Sequence, residues 1–319
     1  MRTRYPARLQ LAIMLVLVLL TACNRDRAAP ERLTGDVQTH DPGMIRQDQT
    51  YYVFSTGDER LNEGNIQIRK SADLAHWELV GTVFETTPAW IGETLGSRPP
   101  NLWAPDIAYL NAQYHLYYAG SRFGSNNSVI GLATNVTLDP QSPDYAWVDQ
   151  GMVIRSRVNN NWNAIDPSVS FDADGAPWLA FGSFWDGIMM RRLDAASGML
   201  STEDTTLYAL ASRDGGPIEA PAIVYRDGFY YLFVSFDFCC RGVDSTYKIM
   251  VGRAASITGP YTDRNGTPME EGWGDLLLDG DERLRGPGGQ SVYLDGGTYR
   301  LVYHTYDRLK NGLPQLQIR

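Results

Sequence analysis

The sequence predicts an all-β fold, a five-bladed β-propeller, and three observations predict it. A strand–turn–strand unit recurs five times along the 319 residues, opening at His40, Trp103, Asp166, Glu219 and Gly289. Proline stands at the head of the first four units, at positions 42, 105, 167 and 221, so the repeats are 63, 62 and 54 residues apart. Between the units lie further strand-like pieces, such as Ile66–Arg69, Val129–Ala133 and Tyr247–Gly252, and no amphipathic helix of any length. Five repeats of four short strands make a propeller; a β-sandwich would need no repeated hairpin at near-even spacing.

Each unit has a short apolar run, a turn of Asp, Asn, Gln or Gly, and then an aromatic and β-branched run, as in "HDPGMIRQDQTYYVFST" and "EAPAIVYRDGFYYLFVSFD". That is a β-hairpin signature. The tyrosines of "YYVF" and "YYLF" alternate as strand residues do and read as core. The innermost strand of a propeller blade starts near the central axis, so its first residues face a funnel shared by all blades. Proline is tolerated at the first residue of a strand and restrains the residue before it to an extended conformation. An Asp-Pro pair there is a rigid mount for a carboxylate. Asp41, Asp166 and Glu219 then converge from three blades at one repeat position.

Residues 1–23 read as an export signal. Arg2, Arg4 and Arg8 precede the apolar run Leu9–Leu20, which is short for a membrane span and ends in Leu20-Thr21-Ala22-Cys23. Small residues before a cysteine are similar to a bacterial lipobox, which makes Cys23 the lipidation site; an ordinary cleaved signal is the plainer alternative. Asn24 at the next position favours the outer membrane in a Gram-negative cell. Residues 24–36 read as a polar tether and 37–319 as the propeller. Cys239 and Cys240 are adjacent, so they build no disulfide framework and read as two free buried thiols, with a vicinal disulfide as the alternative.

The net charge of −9 argues against nucleic acid, whose phosphates demand a basic face. Eight Trp and eighteen Tyr supply rings that can form a core or stack on flat apolar faces such as those of sugars. Two carboxyl groups facing each other across a pocket are what glycoside hydrolysis needs: one protonates the leaving oxygen, the other activates water or attacks the sugar. A third acid can hold the proton donor and raise its pKa by like-charge repulsion.

"HDPGMI", "LWAPDI", "NAIDPSVSFDADGAPWLAFGSFWDGI", "IEAPAIVYRDGFYYLFVSFDFCCRGVDSTYKIMVGR" and "GPGGQSV…LVYHTYD" together resemble the endo-1,5-α-L-arabinanases of glycoside hydrolase family 43. The resemblance runs from about Val37 to the last residue and implies a five-bladed propeller that hydrolyses arabinan with inversion. It makes Asp41 the general base, Glu219 the general acid and Asp166 the acid that tunes and orients the donor. It makes Trp103 and Phe123 aromatic walls of the sugar pocket, and Asn163, Ala164, Ile165, Ser183, Phe184 and Trp185 substrate contacts. It also implies a hydrated calcium ion on the axis. Gly289 stands where some relatives carry a histidine, which leaves His304 to touch that ion, whose charge would keep Asp166 ionised. The chain stops at "PQLQIR", so the fifth blade looks one strand short. Exo-acting α-L-arabinofuranosidases or β-xylosidases of the same family, and a non-catalytic sugar-binding propeller, are the competing readings. The expected partner is arabinan or its oligosaccharides, bound by a monomer that meets the membrane through its lipid alone.

Overall fold

The computed structural model describes residues 33–59 and 65–319. The expected signal and Cys23 lie outside the described residues. Five antiparallel sheets follow one another along the chain. Blade one is Gly43–Gln47, Thr50–Ser55, Gln67–Ser71 and His76–Thr82, with Thr34–Gly35 added in parallel at its outer edge, so the expected tether runs into the fold at its end. Blade two is Trp103–Leu110, Gln113–Gly120, Ser128–Asn135 and Val148–Ser156. Blade three is Ser168–Phe171, Pro177–Phe181, Ile188–Arg192 and Tyr208–Ala211. Blade four is Gly215–Arg226, Phe229–Phe236, Lys248–Ala254 and Asp275–Leu278, with the short strand Ser183–Trp185 added antiparallel at its inner edge. Blade five is Leu284–Asp295, Thr298–Asp307 and Leu313–Ile318. The innermost hairpins turn where expected: Asn111 and Ala112, Asp227 and Gly228, and Gly296 and Gly297 are consecutive left-handed pairs, the geometry of a type I′ turn. Among the described residues one seven-residue α-helix, Ala89–Leu95, and three single-turn 3-10 helices depart from the all-strand expectation.

The fifth blade is not one strand short. Gln38 bridges Gln315, Leu316 N–H donates to Val37 O at 2.7 Å and Thr39 N–H to Pro314 O at 3.2 Å. The segment ahead of blade one thus takes the fourth place of blade five and closes the ring. Apolar side chains fill the gaps between blades: Phe54 and Ile68 of blade one meet Leu116 and Tyr118 of blade two, and Val53 meets Val302 and Leu316 of blade five. Tyr51, Tyr52 and Tyr230 are buried and Tyr231 half-buried; Tyr51 and Tyr52 point to opposite faces of their strand, and both are covered because a blade is packed on both sides.

Every innermost strand carries the same defect at its axial end. Glu219 pairs with Ser235 and Ala222 with Phe233, so residues 220 and 221 stand opposite the single residue Val234. The same step separates Trp103 from Asp106 and Gly288 from Ser291. In blades one and three, Thr56 N–H donates to His40 O and Gly182 N–H to Ile165 O, and the ladders resume three residues later at Gly43 and Ser168. Each is a one-residue β-bulge, and its first residue is left-handed: φ is +51° at Asp41, +41° at Ala104, +56° at Asp166, +53° at Ala220 and +57° at Gly289.

Two expectations are corrected here. The residue before proline is not extended, because the bulge sets its backbone; proline fits as the second bulge residue since a residue outside the ladder needs no N–H. Nor do the three acids share one repeat position. Asp41 and Asp166 are first bulge residues, whereas Glu219 stands one residue earlier, beside His40, Trp103 and Ile165 in the other blades. The kink suspends strand alternation, so consecutive residues can face one side. His40 and Asp41 both line the central cavity, as do Ile165 and Asp166.

A bulge frees a backbone N–H that must find another acceptor. In four blades a side chain of the preceding blade supplies it. Ala104 N–H donates to Thr56 Oγ1 at 2.8 Å, Ala220 N–H to Asp166 Oδ2 at 3.0 Å, Gly289 N–H to Ser235 Oγ at 3.0 Å and Asp41 N–H to His304 Nδ1 at 3.1 Å. These bonds tie blade to blade around the axis.

Candidate active site

A cavity of about 730 Å³ opens at this end of the axis. Asp41, Asp166 and Glu219 all line it, with Trp103, Phe123, Asn163, Ile165, Ser183, Phe184 and Trp185 from the expected binding set. Ala164 does not: it is fully buried and its N–H donates to Ser156 Oγ, so it packs behind the wall. Trp103 and Phe123 stand 5.2 Å apart, ring centre to centre, and Phe123 is 79 % exposed, so the pair offers open aromatic faces. Phe184 and Trp185 are consecutive left-handed residues at φ +51° and +41°, an arrangement that puts both rings on the cavity wall at some backbone strain. Asn163 is buried and its Oδ1 accepts from Ser128 Oγ at 2.6 Å, which fixes its amide.

The three acids sit in different electrostatic surroundings. Asp41 Oδ2 accepts from His40 Nδ1 and from Thr56 Oγ1, each at 2.6 Å. Burial pushes this carboxyl up, but His40, by its charge and its hydrogen bond, helped by His304 and Thr56, outweighs burial and brings it down to about 2. Glu219 goes the other way: burial, reinforced by the Asp41 charge and opposed by Ser183, pushes it up to about 7. Ser183 Oγ donates to Glu219 Oε2 at 2.6 Å, which leaves Oε1 to carry the proton. Asp166 is pushed well above the usual carboxylate range by burial and by the charges of Glu219 and Asp41. Its bond to Ala220 N–H anchors the residue next to the acid, and burial makes the Asp166–Glu219 pair favour holding a proton between them.

The sequence reading missed His40, Thr56, Tyr306 and Asp106. Asp106 of "WAPD" is a fourth axial acid; its Oδ2 accepts from Val169 N–H at 2.6 Å, and burial pushes it up to about 6. His40 adjoins Asp41 in "HDP" and could have been flagged there. Cys239 and Cys240 form a vicinal disulfide on the cavity wall rather than two buried thiols, and Cys240 is exposed.

These features match what comparison with known proteins finds. Residues 34–317 match the family model described as "Glycosyl hydrolases family 43". The chain belongs to glycoside hydrolase family 43. It is 46 % identical over 281 residues to the extracellular endo-α-(1→5)-L-arabinanase 1 of Bacillus subtilis, covering 88 % of this chain and 83 % of that one. It is 40 % identical over 293 residues to the extracellular exo-α-(1→5)-L-arabinofuranosidase of Cellvibrio japonicus, with 88 % and 83 % covered. The solved structure of native Bacillus subtilis arabinanase superposes with a TM-score of 0.82 at 44 % identity, over 91 % of this chain and 96 % of that one. The Cellvibrio cellulosa α-L-arabinanase complexed with arabinohexaose superposes at 0.83 with 39 % identity, over 88 % and 91 %.

The calcium expectation does not fit the residues around His304. Donor atoms of His40, Asp41 and His304 lie within 4.8 Å of one another. Yet His304 Nδ1 accepts the freed N–H of Asp41, the same bond Thr56, Asp166 and Ser235 make elsewhere in the ring. Burial pushes His304 well below the usual imidazole range, so the ring is neutral and its hydrogen sits on Nε2. That N–H has no partner among the described residues and can only donate. While Nδ1 accepts that bond neither nitrogen is free for a cation, so a hydrated ion here would meet the protein through the Asp41 carboxylate and not through His304.

Gly289 has a similar reason to be what it is. A Cβ there would stand 2.3 Å from Asp41 Oδ1 and 2.8 Å from the His304 ring. Gly289→Ala should therefore displace the Asp41 carboxylate and lower kcat for glycoside hydrolysis by about 100-fold, the scale of a 1 Å misplacement. A variant that hydrolyses at the wild-type rate would show that the carboxylate does not depend on this space.

Proposed function

We propose that this protein is an inverting endo-hydrolase of the 1,5-α-L-arabinofuranosidic bonds of arabinan. The observation that carries the reading is the split between Asp41, brought down to about 2, and Glu219, pushed up to about 7, on one cavity of a family 43 fold. At mildly acid pH the first is a carboxylate and the second a carboxylic acid, the pairing that inverting hydrolysis needs. Glu219 Oε1 gives its proton to the glycosidic oxygen as the C1–O bond breaks. A water attacks C1 from the opposite face and its proton passes to Asp41. Oδ2 of Asp41 is occupied by two hydrogen bonds, so Oδ1 is the oxygen that takes it. Asp166 acts on Glu219 through its bond to Ala220 N–H and as the partner with which the buried pair's proton is shared. The endo assignment is supported by the 46 % identity to an endo-acting relative against 40 % to an exo-acting one.

Export is supported by the basic and apolar N-terminal residues and by the extracellular relatives. We further propose that Cys23 carries the lipid. Cys23→Ala should then move the enzyme from the membrane to the soluble fraction of expressing cells; equal partition of variant and wild type would end that idea.

On linear 1,5-α-L-arabinan, early digests should contain a spread of oligosaccharide sizes. A single small product from the first minutes would assign the exo class instead. The pH profile of kcat/KM should have its alkaline limb near 7, where Glu219 loses its proton, and keep its acid side down toward 2. Glu219→Gln should lower kcat by about 10²–10⁴-fold and abolish that alkaline limb. Persistence of the limb in this variant would remove Glu219 from the acid role.

A further inference from the structure

His40 is held from every side. Its ring stacks on buried His304, with centres 3.8 Å apart and 26° between planes. Nδ1 meets Asp41 Oδ2 at 2.6 Å, and since an ionised carboxylate only accepts, Nδ1 carries the hydrogen. Nε2 meets Tyr306 Oη at 2.7 Å, across 266 positions of sequence. Tyr306 is itself fixed from a third blade: Cys240 N–H donates to its oxygen at 2.8 Å. Cys240 is left-handed at φ +63°, is tied to Cys239 by the disulfide, and has its sulfur 3.7 Å from His40 Nε2. The loop is braced further by Thr246 N–H to Phe238 O at 2.9 Å and Arg241 N–H to Ser245 Oγ at 3.0 Å. A line of contacts thus runs from the blade-four cystine loop, through Tyr306 of blade five and His40 ahead of blade one, to Asp41.

We propose that His40 is a positioning residue for the base Asp41, and that Tyr306 and the Cys239–Cys240 loop set its orientation. The proposal rests on the assignment of Asp41 as the base. His40 occupies Oδ2 and thereby reserves Oδ1 for the water proton. As imidazole or imidazolium it also opposes protonation of the carboxylate. The other groups that face Asp41 are Thr56 from blade one, His304 from blade five, and Glu219 and Asp166 across the axis. Of these, His304 and Thr56 also favour the carboxylate, each less than His40 does, while Glu219 and Asp166 oppose it when ionised. His40 acts most strongly in favour of the carboxylate, by charge and by hydrogen bond, and against its own burial is drawn upward by Asp41. An ordinary packing histidine would have no reason to give both nitrogens to this chain of contacts.

The test is the pH profile of arabinan hydrolysis by wild type, His40→Ala and Tyr306→Phe. In His40→Ala, kcat should fall by about 10–100-fold and the acid limb should move up by at least about one pH unit, because the carboxylate loses the group that keeps it ionised. Added imidazole should enter the vacated space beside the cavity and restore both rate and limb. Tyr306→Phe should move the acid limb in the same direction by less, and imidazole should not restore it, because the ring is still present. An acid limb in the wild-type position in both variants overturns the proposal. If His40→Ala does not fold, Tyr306→Phe decides alone by the same limb. Failure of the wild type to hydrolyse arabinan would instead count against the assigned function.

Discussion

The axial β-bulge is the constraint on which the rest of this molecule depends. Five times the chain makes the same left-handed turn as it enters the innermost strand, with φ between +41° and +57°. Each turn leaves one more residue on the inner strand than on its neighbour. Each therefore frees an N–H that a buried backbone cannot leave unpaired. In four of the five the chain borrows an acceptor from the blade before, and Thr56, Asp166, Ser235 and His304 are those acceptors. A local conformational need becomes a ring of interblade bonds. The ring and the catalytic apparatus share residues: Asp166 caps one N–H, and Asp41 donates another.

The same geometry explains how three carboxyl groups tolerate one another in a buried place. Collected acids cannot all ionise there. The site resolves this by unequal support. Asp41 receives two hydrogen bonds on one oxygen, one of them from an imidazole; Glu219 receives one from a neutral hydroxyl; Asp166 receives one backbone N–H against two neighbouring charges. The proton accordingly settles on the Asp166–Glu219 side and stays off Asp41. Base and acid follow from that inequality.

The propeller was legible in the sequence because its signals are local. Hairpin turns, strand alternation and the repeated proline all act within about twenty residues. The acids were legible because they sit beside those prolines. What bridges distant segments was not. Val37–Thr39 closes blade five against Pro314–Leu316, which no local pattern announces. His40 stands next to Asp41 in sequence, but its meaning comes from Tyr306, 266 positions away. Ser183 lines the cavity as expected, but its bond to Glu219, 36 positions away, was not visible in the sequence. Ala164 was drawn into the binding set by its neighbours and faces the core. The vicinal cystine depends on a left-handed Cys240, a conformation that composition cannot report.

Unfolding of Ala104→Gly by urea tests the bulge most directly. Ala104 is left-handed at φ +41°, where an L residue carries strain of roughly 1–2 kcal/mol and glycine does not. In an ordinary strand the same change costs about 0.5–1 kcal/mol. A bulge of this kind predicts a variant as stable as wild type or more so, with its activity retained. A loss of about 1 kcal/mol, as at a regular strand position, would contradict the left-handed start of the blades and with it the account of how the acids are brought together.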